Sequence, residues 1–322
     1  MGKYTRKYGI VGIGETKVGK VPNSTPMSLA LEAGKKAIED AGLTNKDIDG
    51  LLSQQPYLCP TLMFTSGIGQ NMGLELSYCV DLNIGGATPI SMVNHAIMAM
   101  EAGLCSSVLC IFSENQLTAM KARPRGMMFI GNEDFDLPQG QMFAPPAYYA
   151  MAARRHMYEY GTRSEQFGAI AVAMRKHALL NENSQMNKPI TLEDHQNSRL
   201  SVEPFRLLDI CLVSDGAGAV VVTSTERARN LRQDGVYILG FGEGHIPRAS
   251  KFLLNADNMT TFGGRIAGRK AYEMAGIGPK DIDIAEIYDC FTYNVLVQIE
   301  DYGFCEKGEG GPFVEGGRIE LG

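Results

Sequence analysis

The chain has 322 residues, 44% hydrophobic and 20% charged, enough for one large or two ordinary domains with a sizeable core. A formal net charge of −6 with no basic run disfavours nucleic-acid binding. No apolar run approaches a membrane span, and the basic stretch Met1 to Lys7 lacks the apolar core and cleavage site of a signal peptide, so the cytoplasm is the expected compartment.

In chain order, Tyr8 to Gly14 reads as a first strand. Its Gly12-Ile13-Gly14 opens like a dinucleotide fingerprint, but the third glycine is missing and no helix starts there. Met27 to Ala41 is an amphipathic helix with Leu29, Ala33, Ala37 and Ala41 along one side, stopped by Gly42. Ile48 to Leu52 is the next strand. The stretch that organises the chain follows: an apolar run from Tyr78 to Ile84, a Gly85-Gly86 turn, then a helical pattern through Ile90, Val93, Ile97 and Met100 that ends near Gly103. Thr88 is the expected N-cap and Pro89 the first helical residue. Strand, tight turn and helix make the architecture of a nucleophile elbow, presenting one residue at the top of a buried strand. Glycine holds the apex, with no Cys or Ser.

Ser107 to Ser113 is a short apolar strand, and Glu114 to Pro146 a long irregular stretch rich in Met, Gly and Pro. Helices are expected over Ala147 to Tyr160 and Ser164 to Leu180, the second with Ser164 as N-cap and an imperfect capping box. Asp215 to Val222 reads as a tight turn and buried strand, with Asp215 structural. Strand Val236 to Gly242, helix Thr260 to Ala275, strand Ile284 to Tyr288 and helix Asn294 to Tyr302 complete the pattern.

Two segments repeat. Ala33 to Asp49 and Ala267 to Asp283 align at a constant offset, sharing both glycines, three alanines, a glutamate and the ending Lys-Asp-Ile-Asp. A helix, its stop and the following strand entry are thus duplicated, which reads as two copies of one β/α unit with parallel sheets covered by helices.

The seven cysteines form no CxxC pair, and Cys59, Cys105, Cys110, Cys211 and Cys290 read as buried free thiols. The five histidines show no HxH or HExxH spacing, so no zinc site is expected, and His156 and His177 read as helix-surface or packing residues.

With the glycine-apex turn, the duplication, Lys188-Pro189-Ile190-Thr191, Ser198 to Pro204, Asp215 to Val222 and Tyr288-Asp289-Cys290-Phe291 on the page, the chain resembles the thiolase superfamily. More closely it is similar to the thiolase-like lipid-transfer protein branch, which includes steroid side-chain aldolases. The resemblance implies an α/β fold: a duplicated thiolase fold, a five-layer αβαβα sandwich. Residues 1–235 would form the N-terminal half, with a loop insertion at about 114–205, and residues 236–322 the C-terminal half, which reads as incomplete.

Gly86 falls where thiolases carry the nucleophilic cysteine, so no acyl-enzyme is expected at this turn. Gly85, Gly86 and Ala87 are candidates for holding an oxyanion on backbone N–H groups. Tyr288 falls where the thiolase counterpart has Asn or His, and the resemblance to the aldolases implies a proton-transferring tyrosine there. To act as a base near neutrality its pKa would have to fall from about 10. Asp289, paired with it as a catalytic candidate, orients backbone or the neighbouring loop. Met120, Met127, Met128, Phe129, Met142 and Phe143 line an expected acyl pocket in the insertion, with ordinary loop packing equally open. Lys121, Arg123 and Arg125 are candidates for the coenzyme A phosphates.

The expected activity is retro-aldol cleavage of a bulky, steroid-like β-hydroxyacyl-CoA, with the coenzyme A thioester as substrate and no bound cofactor or metal in this chain. Two alternatives stay open: an acyltransferase using Cys79 or Cys290, and a non-catalytic acyl-CoA carrier or structural subunit. The resemblance also implies a homodimer and a small DUF35-type partner with a zinc ribbon and an OB fold.

Overall fold

The computed structural model describes residues 7–58, 60–119, 145–229, 231, 235–246 and 258–321. The chain divides into two compact units. The first comprises Met1–Arg125, Val213–Phe241 and Glu273–Gly276; the second comprises Gly126–Leu212, Gly242–Tyr272 and Ile277–Gly322.

The first unit is built on a six-stranded sheet. Its strands are β1 (Tyr8–Glu15), β2 (Gly50–Ser53), β3 (Tyr78–Asp81), β4 (Ser107–Asn115), β7 (Asp215–Ser224) and β8 (Val236–Tyr237), in the order β3-β2-β4-β7-β1-β8. β2 pairs parallel with β3 and β4, whereas β7 runs antiparallel to β4 and β1. The expectation of a wholly parallel sheet is therefore corrected. β7 is reached after the long excursion of the second unit, not by a single crossover helix, so nothing forces its direction to match.

Alternate strand residues face opposite layers. Leu51, Leu109, Ile111 and Val221 pack under helices α1 (Pro26–Asp40) and α2 (Phe64–Met72). Leu52, Val108, Cys110 and Val222 meet helix α3 (Thr88–Glu101) on the other face. Each fully buried Leu, Ile or Val contributes about 1.5–3 kcal/mol of transfer free energy, so covering both faces fixes the register of the sheet.

Thr25 caps α1, its hydroxyl accepting from Ser28 N at 3.0 Å while Ser28 Oγ accepts from Thr25 N at 2.9 Å. The alanine stripe of α1 lets β1 lie directly against helix backbone. A Cβ at Gly12 would stand 2.2 Å from Ala37 O, and one at Gly14 2.2 Å from Ala33 O. Close helix–strand packing, not a phosphate turn, explains these two glycines.

The second unit repeats this device. On helix α9 (Gly264–Ala275) a Cβ at Gly242 would stand 2.1 Å from Ala267 O, and one at Gly244 2.2 Å from Gly263 O. Gly42 and Gly276 close the two duplicated helices with φ of 69° and 73°. Asp47 and Asp281 then cap the following turns, accepting from Thr44 N and Gly278 N at 2.9 and 2.8 Å. The duplication seen in the residues is thus a duplication of backbone contacts.

Helix α10 (Thr292–Asp301) is the axis of the second unit and is buried at all ten positions. Around it pack Ala150, Ala152 and Ala153 of α5 (Pro145–Tyr160), Phe167 and Ile170 of α6 (Ser164–Ala178), and Phe205. Phe205 lies in β6 (Phe205–Arg206), which pairs with β5 (Leu200–Val202). Phe205 also stacks on Phe291 with ring centroids 5.3 Å apart. The buried charges are answered within the unit. Glu300 accepts from Gly308 N at 3.1 Å and Gly310 N at 2.9 Å, and meets His156 Nε2 at 3.1 Å and Lys307 Nζ at 3.0 Å. Lys307 also reaches Asp301 at 2.8 Å.

Several element boundaries differ from expectation. The strand expected over Val236 to Gly242 shrinks to β8, because Gly242 and Gly244 leave the sheet to lie on α9. α9 starts at Gly264, not Thr260, since Thr260 O is held by Lys307 and Phe262 N by Asp301. No strand forms over Ile284 to Tyr288: among the described residues no neighbouring strand offers it a ladder. The N-cap of α6 is Arg163 rather than Ser164, and Gln166 closes the turn by accepting from Arg163 N at 2.9 Å.

Candidate active site

In the first unit the glycine turn follows β3, which is the edge of the sheet and alternates half-buried and exposed residues. The expected buried strand is thus an edge strand, with Cys79 and Asp81 facing outward. Gly85 takes φ 79°, the left-handed conformation that lets the chain reverse here. A Cβ on it would meet nothing within 4 Å. Thr88 is the first residue of α3 and Ala87 its N-cap, one residue earlier than expected, with Pro89 second in the helix. The Thr88 hydroxyl serves the turn instead, donating to Gly85 O at 2.6 Å and accepting from Ile84 N at 3.0 Å. Gly86 and Ala87 are exposed at the entrance to the helix. Gly103, with φ 72°, ends it as expected.

In the second unit Tyr288 and Asp289 precede α10 without a strand to hold them. Polar side chains of the helix replace the ladder: Gln298 Nε2 donates to Tyr288 O at 2.7 Å and Asn294 Nδ2 at 3.3 Å. Cys211 N donates to Cys290 O at 3.0 Å, beside an antiparallel bridge between Ile210 and Phe291.

Tyr288 as a residue is 53% exposed. The protein around its ring, then Cys290, Cys211 and Tyr149 beside it, push its phenol well above the ordinary value. Among the described residues no cation acts on the phenol to bring the fall in pKa that a tyrosine base would need. Asp289 is an exposed residue as a whole, yet burial pushes its carboxyl up. Burial also lifts the Cys290 thiol to about 12, so near neutrality it is a thiol and not a thiolate.

Tyr149, Cys211 and Cys290 are the neighbours that sequence reasoning did not assign to Tyr288. Cys211, read as buried, is exposed, whereas Cys290 and Cys110 are buried as expected. Only the alternation of Tyr288 and Cys290 in an extended segment, which puts them on one side, signalled any of this. Met120, Met127, Met128, Phe129, Met142, Phe143, Lys121, Arg123 and Arg125 lie outside the described residues.

Asp215 is structural: fully buried, it accepts from Val21 N and Thr118 N, both at 3.0 Å, and from the Thr118 hydroxyl at 2.5 Å. His156 is a packing residue, fully buried between Thr162 and Glu300.

A family model described as "Thiolase C-terminal domain-like" matches residues 249–322. Over 327 residues the chain is 38% identical to the 17-hydroxy-3-oxo-4-pregnene-20-carboxyl-CoA lyase of Mycobacterium tuberculosis, covering 97% of this chain and 83% of that one. It is 37% identical to the steroid side-chain-cleaving aldolase of Thermomonospora curvata, covering 97% and 82%. A solved structure titled "Ltp2-ChsH2(DUF35) aldolase" superposes with a TM-score of 0.87 at 37% identity, covering 98% of this chain and 82% of that chain. The chain has a thiolase fold and belongs to the thiolase superfamily, in the branch that holds the steroid side-chain-cleaving aldolases.

Proposed function

We propose that the protein is a carbon–carbon lyase that cleaves a bulky, steroid-like β-hydroxyacyl-CoA by a retro-aldol reaction. The observation that carries the reading is the turn after β3, where Gly85 and Gly86 stand in place of any thiol, in a chain 38% identical to a steroid acyl-CoA lyase. Retro-aldol scission needs no acyl-enzyme. A base removes the β-hydroxyl proton, and the Cα–Cβ bond breaks. Its electron pair passes into the thioester as an enolate, and a donor returns a proton to Cα, releasing a ketone and a shortened acyl-CoA.

The electrostatics favour one distribution of these roles. A phenol is protonated at neutral pH even at its ordinary pKa, and burial pushes this one higher still, so in this reading Tyr288 serves as proton donor rather than base. Burial pushes the Asp289 carboxyl above the ordinary aspartate value, which favours it over an unshifted aspartate as the base in this reading. Gly86 and Ala87, exposed where α3 begins, are offered as oxyanion donors of the first unit. The Met and Phe residues of the insertion would take the acyl chain, and Lys121, Arg123 and Arg125 the coenzyme A phosphates.

A homodimer formed through the outer edge of β3 fits the exposed side of that strand. The solved Ltp2-ChsH2(DUF35) aldolase, 37% identical to this chain, supports a DUF35-type partner. No helix among the described residues is long and apolar enough to cross a membrane, and a cytoplasmic enzyme fits that.

The test is incubation with a panel of β-hydroxyacyl- and β-ketoacyl-CoA esters, with and without the zinc-ribbon partner, followed by mass spectrometry. Ketone and shortened acyl-CoA are expected from a β-hydroxyacyl ester of steroid size, and Tyr288→Phe should abolish cleavage while the circular dichroism spectrum is unchanged. Full activity in that variant removes Tyr288 from the mechanism. The runner-up, an acyltransferase, draws on the exposed thiol of Cys79 in β3. Inactivation by iodoacetamide with acyl transfer to coenzyme A would favour it.

A further inference from the structure

Tyr288 to Phe291 runs into α10 without a strand ladder among the described residues. Phe291, the N-cap of α10, has no polar side chain to hold the first turn. The hold comes from Asp209, which ends the turn Leu207–Asp209 and is only 1% exposed. One of its carboxylate oxygens accepts from the hydroxyl of Thr292, the first residue of α10, at 2.7 Å and from His195 Nε2 at 2.8 Å. The other accepts from Arg206 N at 2.7 Å.

His195 lies in helix α7 (Leu192–Asn197) and is fully buried. Gln196 Nε2 donates to its Nδ1 at 3.2 Å, which leaves Nε2 to carry the proton that faces Asp209. Thr292, Asp209 and His195 have the residue types of a catalytic triad but not its order. The carboxylate stands in the middle and the hydroxyl donates to it, so no base is aimed at the Thr292 oxygen. The two residues after Asp209 reach the same segment: Ile210 bridges antiparallel to Phe291, and Cys211 N donates to Cys290 O at 3.0 Å. Gln298 and Asn294 of α10 hold the Tyr288 carbonyl. Hydrogen bonds to a carboxylate are roughly twice as strong as neutral ones, and this carboxylate is where α7, the 206–209 turn and α10 meet.

We propose that Asp209 is a positioning residue. Through the Thr292 hydroxyl it clasps the start of α10 to Ile210 and Cys211, and so sets where Tyr288 and Asp289 stand. The proposal rests on the lyase reading for what that pair does, but not for where the clasp holds it.

Two measurements test it, one of which needs no turnover. Thr292→Val deletes the hydroxyl with little change of shape and leaves Asp209 its bonds to His195 and Arg206, whereas Thr292→Ser keeps the donor. Followed by mass spectrometry on the whole protein, amide hydrogen exchange in peptides covering 207–212 and 288–295 should quicken by about tenfold in Thr292→Val and stay near wild type in Thr292→Ser. Peptides from α5 and α6 should keep their wild-type exchange in both. Unchanged exchange in Thr292→Val, or quickening spread evenly over α5 and α6, overturns the clasp whether or not the lyase reading stands. On a cleaved β-hydroxyacyl-CoA, Thr292→Val should lower kcat by about tenfold with KM nearly unchanged, and Thr292→Ser should recover most of the rate. Wild-type kcat in Thr292→Val despite the local quickening would overturn the positioning role. If the wild type cleaves no such ester, the lyase reading falls and the exchange result alone decides the clasp.

Discussion

Glu300→Gln probes whether the second unit, and with it the segment carrying Tyr288, is held by the buried charges of α10. The wild-type carboxylate accepts two backbone amides at one oxygen, from Gly308 and Gly310 at 3.1 and 2.9 Å. Its other oxygen meets His156 Nε2 at 3.1 Å and Lys307 Nζ at 3.0 Å, and the side chain is fully buried. Glutamine keeps one acceptor oxygen and turns an NH2 group toward the remaining donors. Removing one member of a buried pair costs about 3–5 kcal/mol. The lower end, about 3 kcal/mol, applies because Lys307 keeps Asp301 at 2.8 Å and Thr260 O at 2.7 Å.

The pH dependence follows from the same contacts. Burial pushes the Glu300 carboxyl up, but hydrogen bonds from His156 and Lys307 outweigh it and hold the pKa below the ordinary 4.5. A depressed folded pKa means that the contribution is complete above the unfolded value and is lost as pH falls through the folded one. Urea unfolding followed by far-ultraviolet circular dichroism should therefore show the full difference between variant and wild type at pH 7. The gap should shrink below about pH 4. A loss under about 1 kcal/mol at pH 7, or the same loss in acid, would refute the argument.

Gly85→Ala places a Cβ in open space at φ 79°, so it should cost only backbone strain, about 1–2 kcal/mol, read as a small drop in Tm; wild-type stability would mean the turn relaxes. Gly242→Ala has no such room, with Ala267 O 2.1 Å from the new carbon, and should cost about 1–3 kcal/mol or more by forcing the chain off α9. A neutral result there would remove the duplicated helix contact from the account. Iodoacetamide at pH 8 should label the exposed Cys79 well before Cys290, whose thiol at about 12 is ionised on the order of one part in ten thousand at that pH, as peptide mass mapping would show. Equal labelling of the two in the folded protein would contradict that assignment.

Much of this was written in the order of residue types. The alanine stripe of α1, its cap at Thr25 and its stop at Gly42 are local, because helix periodicity, capping and left-handed glycine each depend on a few neighbouring residues. The duplication and the glycine apex were legible for the same reason, and the family resemblance rested on them. What the residues did not disclose were pairings between distant segments. That β7 runs antiparallel to β1 and β4, that Ile284 to Tyr288 lacks a ladder, and that α10 buries Glu300 and Asp301 all depend on which segments meet. The surroundings of Tyr288 belong there too. Its phenol is pushed up first by burial and then by Cys290 two residues on and by Cys211 and Tyr149 from two other stretches of chain, and the electrostatics of a group are set by what stands near it in space.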